Sequence, residues 1–196
     1  MSHRPAEELT AGLAEVARSP VGTGTLELIV RRPAVDGREV RETAELDVDA
    51  GLVGDGWSTR GTPDPDRQLT LMNARAAALI AVDRERWPLA GDQLYVDLHL
   101  GGVELPPGAR LAIGDTAVIE VTDRPHTGCA KFSARFGADA LRIVNSPPGR
   151  ALNLRGINAR VVIPGTIRVG DRVAEVAEVA VSGGAGGAPI AHREDR

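Results

Sequence analysis

The sequence predicts a mainly β fold, a β-rich α+β domain in which a barrel or sandwich is favoured over a doubly wound sheet. Short stretches of alternating, often β-branched residues recur along most of the chain. Turn residues separate them at close intervals, as at Gly101-Gly102, Pro106-Pro107-Gly108, Gly114-Asp115, Pro164-Gly165 and Gly170-Asp171. Helical spacing interrupts this pattern only briefly.

From the amino end, Leu9, Leu13 and Val16 recur at 3–4 spacing and predict a helix over 6–18, stopped by Ser19-Pro20. Glu7 and Glu8 near its start and Arg18 near its end suit the helix dipole. Strands are then expected at 25–31, 40–48, 69–72, 94–100, 110–113 and 117–122, and later at 159–163, 166–169 and 172–181. Asn73 caps a helix predicted over 74–87 that Pro88 ends. A further helical stretch begins near Cys129, with Phe132, Phe136, Leu141 and Val144 as its apolar face, and Gly137 divides it. Residues 58–67 read as a long polar loop. The expected organisation is a helical segment over 1–20, a single domain over 21–181 and a flexible tail over 182–196.

Composition excludes several classes of function. Hydrophobic residues at 42% and charged residues at 26% are ordinary for a globular domain. A net charge of −4 argues against a nucleic-acid partner. No apolar run approaches a bilayer span and no signal-peptide core is visible, so a cytoplasmic protein with no membrane partner is expected. One cysteine forbids an internal disulfide and a multi-cysteine zinc cage, and the four histidines lack metal-ligand spacing. Lys131 is the only lysine, every other basic residue being arginine, so any Schiff-base chemistry would need Lys131.

The stretch Arg124-Pro125-His126-Thr127-Gly128-Cys129-Ala130-Lys131 joins a strand to a helix. A thiol in the first turn of a helix meets unpaired backbone N–H groups and the positive end of the dipole, which favour thiolate. Lys131 and Arg135 add to this if they point the same way, and His126 could bond the sulfur or relay a proton. Such a thiolate suits a nucleophile, a persulfide carrier or a soft-metal ligand, although a lone cysteine is as readily a small buried hydrophobe. Gly51-Leu52-Val53-Gly54-Asp55-Gly56-Trp57 fits no phosphate-binding pattern and reads as a tight turn. Arg67-Gln68 and Asn153-Leu154-Arg155-Gly156 are polar groups able to meet phosphate or pterin edges.

Together these stretches resemble the MOSC family, the carboxy-terminal domain of molybdenum cofactor sulfurases, over about residues 24–173. The resemblance is carried by Gly51-Leu52-Val53-Gly54-Asp55, Arg67-Gln68-Leu69-Thr70-Leu71, Leu105 to Asp115, Pro125-His126-Thr127-Gly128-Cys129-Ala130-Lys131-Phe132, Arg155 to Val161 and Pro164 to Asp171, in that order. It implies a β-barrel with peripheral helices, in a stand-alone member of bacterial type. It also implies that Cys129 handles sulfur or ligates molybdenum of the pterin cofactor. On that basis Cys129 and His126 are the expected catalytic residues, Cys129 is also the metal ligand, and Arg67, Lys131, Arg135, Asn153 and Arg155 are expected to hold the cofactor. The activity implied is reduction of N-hydroxylated compounds with an external electron-transfer partner. The alternative is a non-catalytic persulfide carrier served by a cysteine desulfurase, or a small-anion binding module. Pyridoxal phosphate is not expected, because the chain is too short to hold a desulfurase module. The chain departs from many relatives in having Gly56-Trp57 where they have Arg-His, and Asp92-Gln93 near where they have Asn-Leu.

Overall fold

The first strand shows how the sequence pattern becomes a closed wall. In the computed structural model, which describes residues 3–176, α1 (Ala6–Ala17) leads into β1 (Thr23–Arg31). A bulge between Leu26 and Leu28 switches the side-chain parity of β1. Leu26 and Ile29 therefore enter one apolar cluster, while Leu28 and Val30 enter another on the opposite face. Both faces of this strand are buried, which is why its sequence reads as a nearly continuous apolar run.

The chain continues through β2 (Glu39–Arg41), β3 (Thr43–Asp47), β4 (Gly51–Leu52) and β5 (Leu69–Asn73) to α2 (Ala74–Ala81). Then come β6 (Leu94–Asp97), β7 (Arg110–Ile113), β8 (Ala117–Val121), α3 (Ala130–Phe136), α4 (Ala138–Asn145) and α5 (Pro147–Ala151). The strands β9 (Ile157–Ile163), β10 (Gly165–Arg168) and β11 (Arg172–Val176) complete the described part.

Seven strands close a mixed barrel in the order β1-β11-β7-β8-β9-β5-β6, with β6 pairing back to β1. Closure leaves no open edge within the ring. Every adjacent pair is antiparallel except β5 and β6, whose parallel pairing is made by the crossover through α2. β2 extends β1 outside the ring, and β10, β3 and β4 form a separate small sheet.

The barrel interior is filled by aliphatic side chains such as Leu69, Leu71, Leu94, Val96, Leu111, Ile119 and Val161. Burial of each such side chain contributes roughly 1.5–3 kcal/mol. The outer cluster joins α1, α2, α3 and α4 to the barrel through residues including Leu9, Val16, Met72, Ile80, Tyr95, Phe132 and Phe136. The mainly β barrel with peripheral helices expected from the sequence is thus present. No helix among the described residues is long and apolar enough to cross a membrane. The expected tail over 182–196, and the domain's last residues from 177, lie outside the described residues.

Two local expectations need correction, and one helix was not foreseen. The helix after Asn73 stops at Ala81, and Val82 takes φ 68°. One more α turn would bring Arg84 beneath Ile80 on the buried face. Instead a 3-10 stretch over Arg84–Ala90 contains Pro88, and Arg84 Nη2 reaches the Glu27 carbonyl at 2.6 Å. The strand expected over 40–48 is split between two sheets at Glu42, as β2 pairs with β1 and β3 with β10. The sequence reading offered no helix at Ser146-Pro147-Pro148-Gly149, where α5 begins. Ser146 caps α5, its hydroxyl accepting the Gly149 N–H at 3.2 Å, and Pro147 and Pro148 stand where a helix start lacks N–H partners anyway.

Candidate functional site

Thr70 and Asn158 are register partners on β5 and β9. They alternate with Leu69, Leu71 and Ala159, which fill the barrel, so both project from its outer face. A cavity of about 420 Å³ lies against this patch. Arg32, Arg60 and Arg67 provide its cations, Trp57 a partly exposed indole, and the irregular segment Pro125-His126-Thr127 its far side.

The glycine-rich turn over 51–57 positions the cationic wall. Gly51 and Gly54 take φ 71° and 78°, values that only glycine adopts without strain. The turn delivers Asp55, whose side chain is fully buried. Asp55 Oδ2 accepts from Arg32 Nε at 2.9 Å and from the Arg32 backbone N–H at 2.8 Å. Its Oδ1 accepts from Arg32 Nη2 at 3.1 Å and from the Trp57 backbone N–H at 3.0 Å. Arg32 Nη1 donates to the Gly91 carbonyl at 2.6 Å. Arg60 closes over the same turn, donating to the carbonyls of Gly56 at 3.0 Å and Arg32 at 2.5 Å. One buried carboxylate thus orders the Arg32 guanidinium, with Arg60 Nη2 4.0 Å from it, and the wall stays net positive. Arg67 is more loosely held, 3.6 Å from Asp64. Its neighbour Gln68 is structural: buried, it bonds the Val48 carbonyl and the Val161 N–H, both at 2.7 Å.

Behind His126 lies a buried charged group. Arg155 Nη1 donates to Asp92 Oδ2 at 2.7 Å and Nη2 to the Ala90 carbonyl at 2.9 Å, and the guanidinium sits 5.1 Å from the Phe132 ring centre. The other carboxylate oxygen, Asp92 Oδ1, is 3.5 Å from His126 Nδ1. Both atoms are sealed from solvent, and among the described residues neither has a hydrogen-bond partner. Burial pushes the His126 pKa down to about 4, the Asp92 carboxylate opposing this and Arg155 adding to it. The ring is therefore neutral at pH 7. A neutral ring has one nitrogen free to accept a proton there.

Cys129 is the exposed N-cap residue of α3. Its sulfur forms no capping hydrogen bond, but the nearby Phe132 N–H lowers its pKa below the ordinary thiol value. Partial burial opposes this, and the Lys131 N–H and the Arg155 and Arg135 guanidiniums reinforce it. The segment leading to Cys129 is clamped by Asn145, which accepts from the Gly128 N–H at 3.1 Å and donates to the Gly128 carbonyl at 3.3 Å.

Of the expected site residues, His126 and Arg67 line the main cavity. Arg155 and Asn153 line an adjoining cavity of about 240 Å³ that shares Pro125, His126 and Thr127. Asn153 is held at φ 47° with Nδ2 on the Leu100 carbonyl at 2.7 Å. Lys131 is exposed on α3. Arg135 turns toward Asp36 at 3.0 Å and the Leu89 carbonyl at 2.8 Å. Sequence reasoning did not single out Arg32, Arg60, Thr70, Asp92 or Asn158 as site residues. In a chain whose basic residues are nearly all arginine, Arg32 and Arg60 carry no distinguishing signal.

A cationic cavity of this kind can hold phosphate oxygens through its guanidinium N–H groups, and the exposed thiol, once ionised, is a soft donor. Among the described residues no group of three or more His, Cys, Asp or Glu side chains is placed to hold a metal ion.

The family model described as "MOSC domain" matches residues 58–174. Among solved structures, YuaD protein from Bacillus subtilis is similar, with a TM-score of 0.57 and 16% identity, over 77% of this chain and 94% of that one. YiiM from Escherichia coli is similar with a TM-score of 0.53 and 21% identity, over 79% of this chain and 71% of that one. At these identities the likeness is one of fold. No curated protein matches the chain.

Proposed function

The chain belongs to the MOSC domain family, and from that premise we propose that it binds molybdenum cofactor, with Cys129 as the thiolate ligand. The observation that carries this reading is the placement of a reactive thiol and a cationic cavity on one short segment. His126 and Thr127 line the cavity, and Cys129 follows at the exposed start of α3. Arg32, Arg60 and Arg67 would hold the phosphate, and Asn153 and the His126 segment would meet the pterin edge. When bound, the cofactor would supply two-electron chemistry suited to removing oxygen from an N–OH group, with electrons from a separate protein. Lys131 and Arg135 flank Cys129 on α3, and Arg155 holds Asp92 against His126. Neutral His126 accepts a proton at the cavity wall.

The test is the molybdenum and pterin content of protein purified from a host that makes the cofactor. Equimolar molybdenum and pterin, with molybdenum reduced in Cys129→Ala, is the expected result. Absence of both, while other molybdoenzymes of the host are loaded, overturns the reading. Activity is checked by reduction of an N-hydroxylated base with a reconstituted electron donor.

A second reading is favoured by the exposure of the thiol: Cys129 as an acceptor of sulfane sulfur from a cysteine desulfurase. Gain of one sulfur by intact mass after incubation with a desulfurase and cysteine, lost in Cys129→Ala, identifies the carrier.

A further inference from the structure

The polar wall of the main cavity divides into two parts of opposite hydrogen-bonding character. Three guanidiniums, from Arg32, Arg60 and Arg67, can only donate. Facing them are groups that can accept. Gln93 is fully buried, and its Oε1 accepts the Thr70 backbone N–H at 2.8 Å, which identifies that atom as the amide oxygen. The same oxygen lies 2.6 Å from Thr70 Oγ1, so the hydroxyl proton is committed to it. Gln93 Nε2 donates to the Gln68 carbonyl at 3.1 Å, which agrees with this orientation. Thr70 therefore offers only lone pairs to a ligand.

Asn158 is fixed by the same logic. Its Nδ2 donates to the Arg124 carbonyl at 3.0 Å, and its Oδ1 has no donor among the described residues. His126 adds a third acceptor. A proton on Nδ1 is favoured by the Asp92 Oδ1 charge 3.5 Å away. The other nitrogen, Nε2, then carries the ring's lone pair.

We propose that this cavity selects a small oxyanion that still carries a proton, of the hydrogenphosphate kind, over one that carries none, of the sulfate kind. Arg32, Arg60 and Arg67 match the negative oxygens, and Thr70, Asn158 and His126 receive the O–H. A proton-free anion leaves these acceptors facing acceptors, unsatisfied inside a partly closed site. The inference rests on the cavity being the ligand site, but not on Cys129 or on molybdenum.

The experiment is calorimetric titration of the wild-type protein with inorganic phosphate and with sulfate, near pH 6.5, at equal ionic strength in a buffer free of both. Phosphate is expected to bind at least about tenfold more tightly, since a site built around a ligand hydroxyl rejects analogues that lack it. Methyl phosphate, compared with phosphate at about pH 5, where both keep an un-ionised hydroxyl, distinguishes an ester as occupant from free phosphate: affinity equal to that of phosphate assigns the ester, weaker affinity the free anion. Arg67→Ala, at an exposed position, is expected to weaken both anions alike and keep their ratio. Sulfate binding as tightly as phosphate overturns the proposal, and so does absence of phosphate binding at tens of millimolar. Cofactor content is measured separately, so loss of the selectivity leaves that reading standing, and protein found without cofactor can still show the phosphate preference.

Discussion

Arg155 and Asp92, 63 positions apart in the chain, form a buried ion pair at 2.7 Å whose second carboxylate oxygen is turned toward His126. The Asp92 side chain has no solvent exposure and that of Arg155 about 9%. Such a pair is costly to break from one side, because the partner is left as an unpaired buried charge. Arg155→Ala is expected to destabilise the fold by about 3–5 kcal/mol. A lowered urea midpoint with an unchanged m-value would show it. Arg155→Lys should lose less, keeping the charge but not both hydrogen bonds.

The same group makes stability depend on pH in a defined direction. His126 titrates at about 4 in the folded chain and near 6.5 when unfolded. Between those values the unfolded chain binds more protons, so stability is complete above pH 6.5 and falls as pH drops toward 4. The loss attributable to His126 is on the order of 3 kcal/mol. Urea denaturation across this range should show the slope, and His126→Gln should flatten it.

At Cys129, iodoacetamide alkylation should follow a thiolate titration with its midpoint below the value of about 8.5 for a free cysteine. Arg135→Ala should move that midpoint upward by removing one of the nearby cations, and Cys129→Ala should abolish labelling. A midpoint at or above the free value would contradict the electrostatic account.

Asn73 performs two tasks with one buried amide. Its oxygen caps α2 by accepting from the N–H groups of Arg75 at 2.8 Å and Ala76 at 3.1 Å. Its nitrogen donates to Ser19 Oγ at 2.8 Å and the Leu98 carbonyl at 2.7 Å. Asn73→Ala should cost about 2–4 kcal/mol, more than an ordinary cap, because buried partners are orphaned as well. Asn73→Asp should retain the cap and lose the donor contacts. Thermal denaturation of the two variants separates these effects.

Local patterns legible in the sequence were those enforced by near neighbours. Alternation gave most strands, Asn73 gave the start of α2, and Gly137 gave the break between α3 and α4. The end of α2 was not legible, because it turns on keeping Arg84 out of a face that Ile80 buries against other elements. The site was legible where it lies along one segment, as with His126 and Cys129. Asp92 and Asn158 looked like ordinary polar residues, since what gives them meaning is a partner from another strand or loop.

The sequence by itself determined a β-rich domain, the starts of α2 and α3, a single thiol at a helix start, and a MOSC-like order of motifs. Only the tertiary structure decided that Arg32 pairs with buried Asp55, that Arg155 serves Asp92 behind the cavity wall, and that the hydroxyl of Thr70 donates to Gln93 and so faces a ligand as an acceptor. The reason is physical. Secondary structure follows from chain periodicity within a few residues, whereas charge pairing and hydrogen-bond direction depend on which groups barrel closure brings within 3 Å of each other.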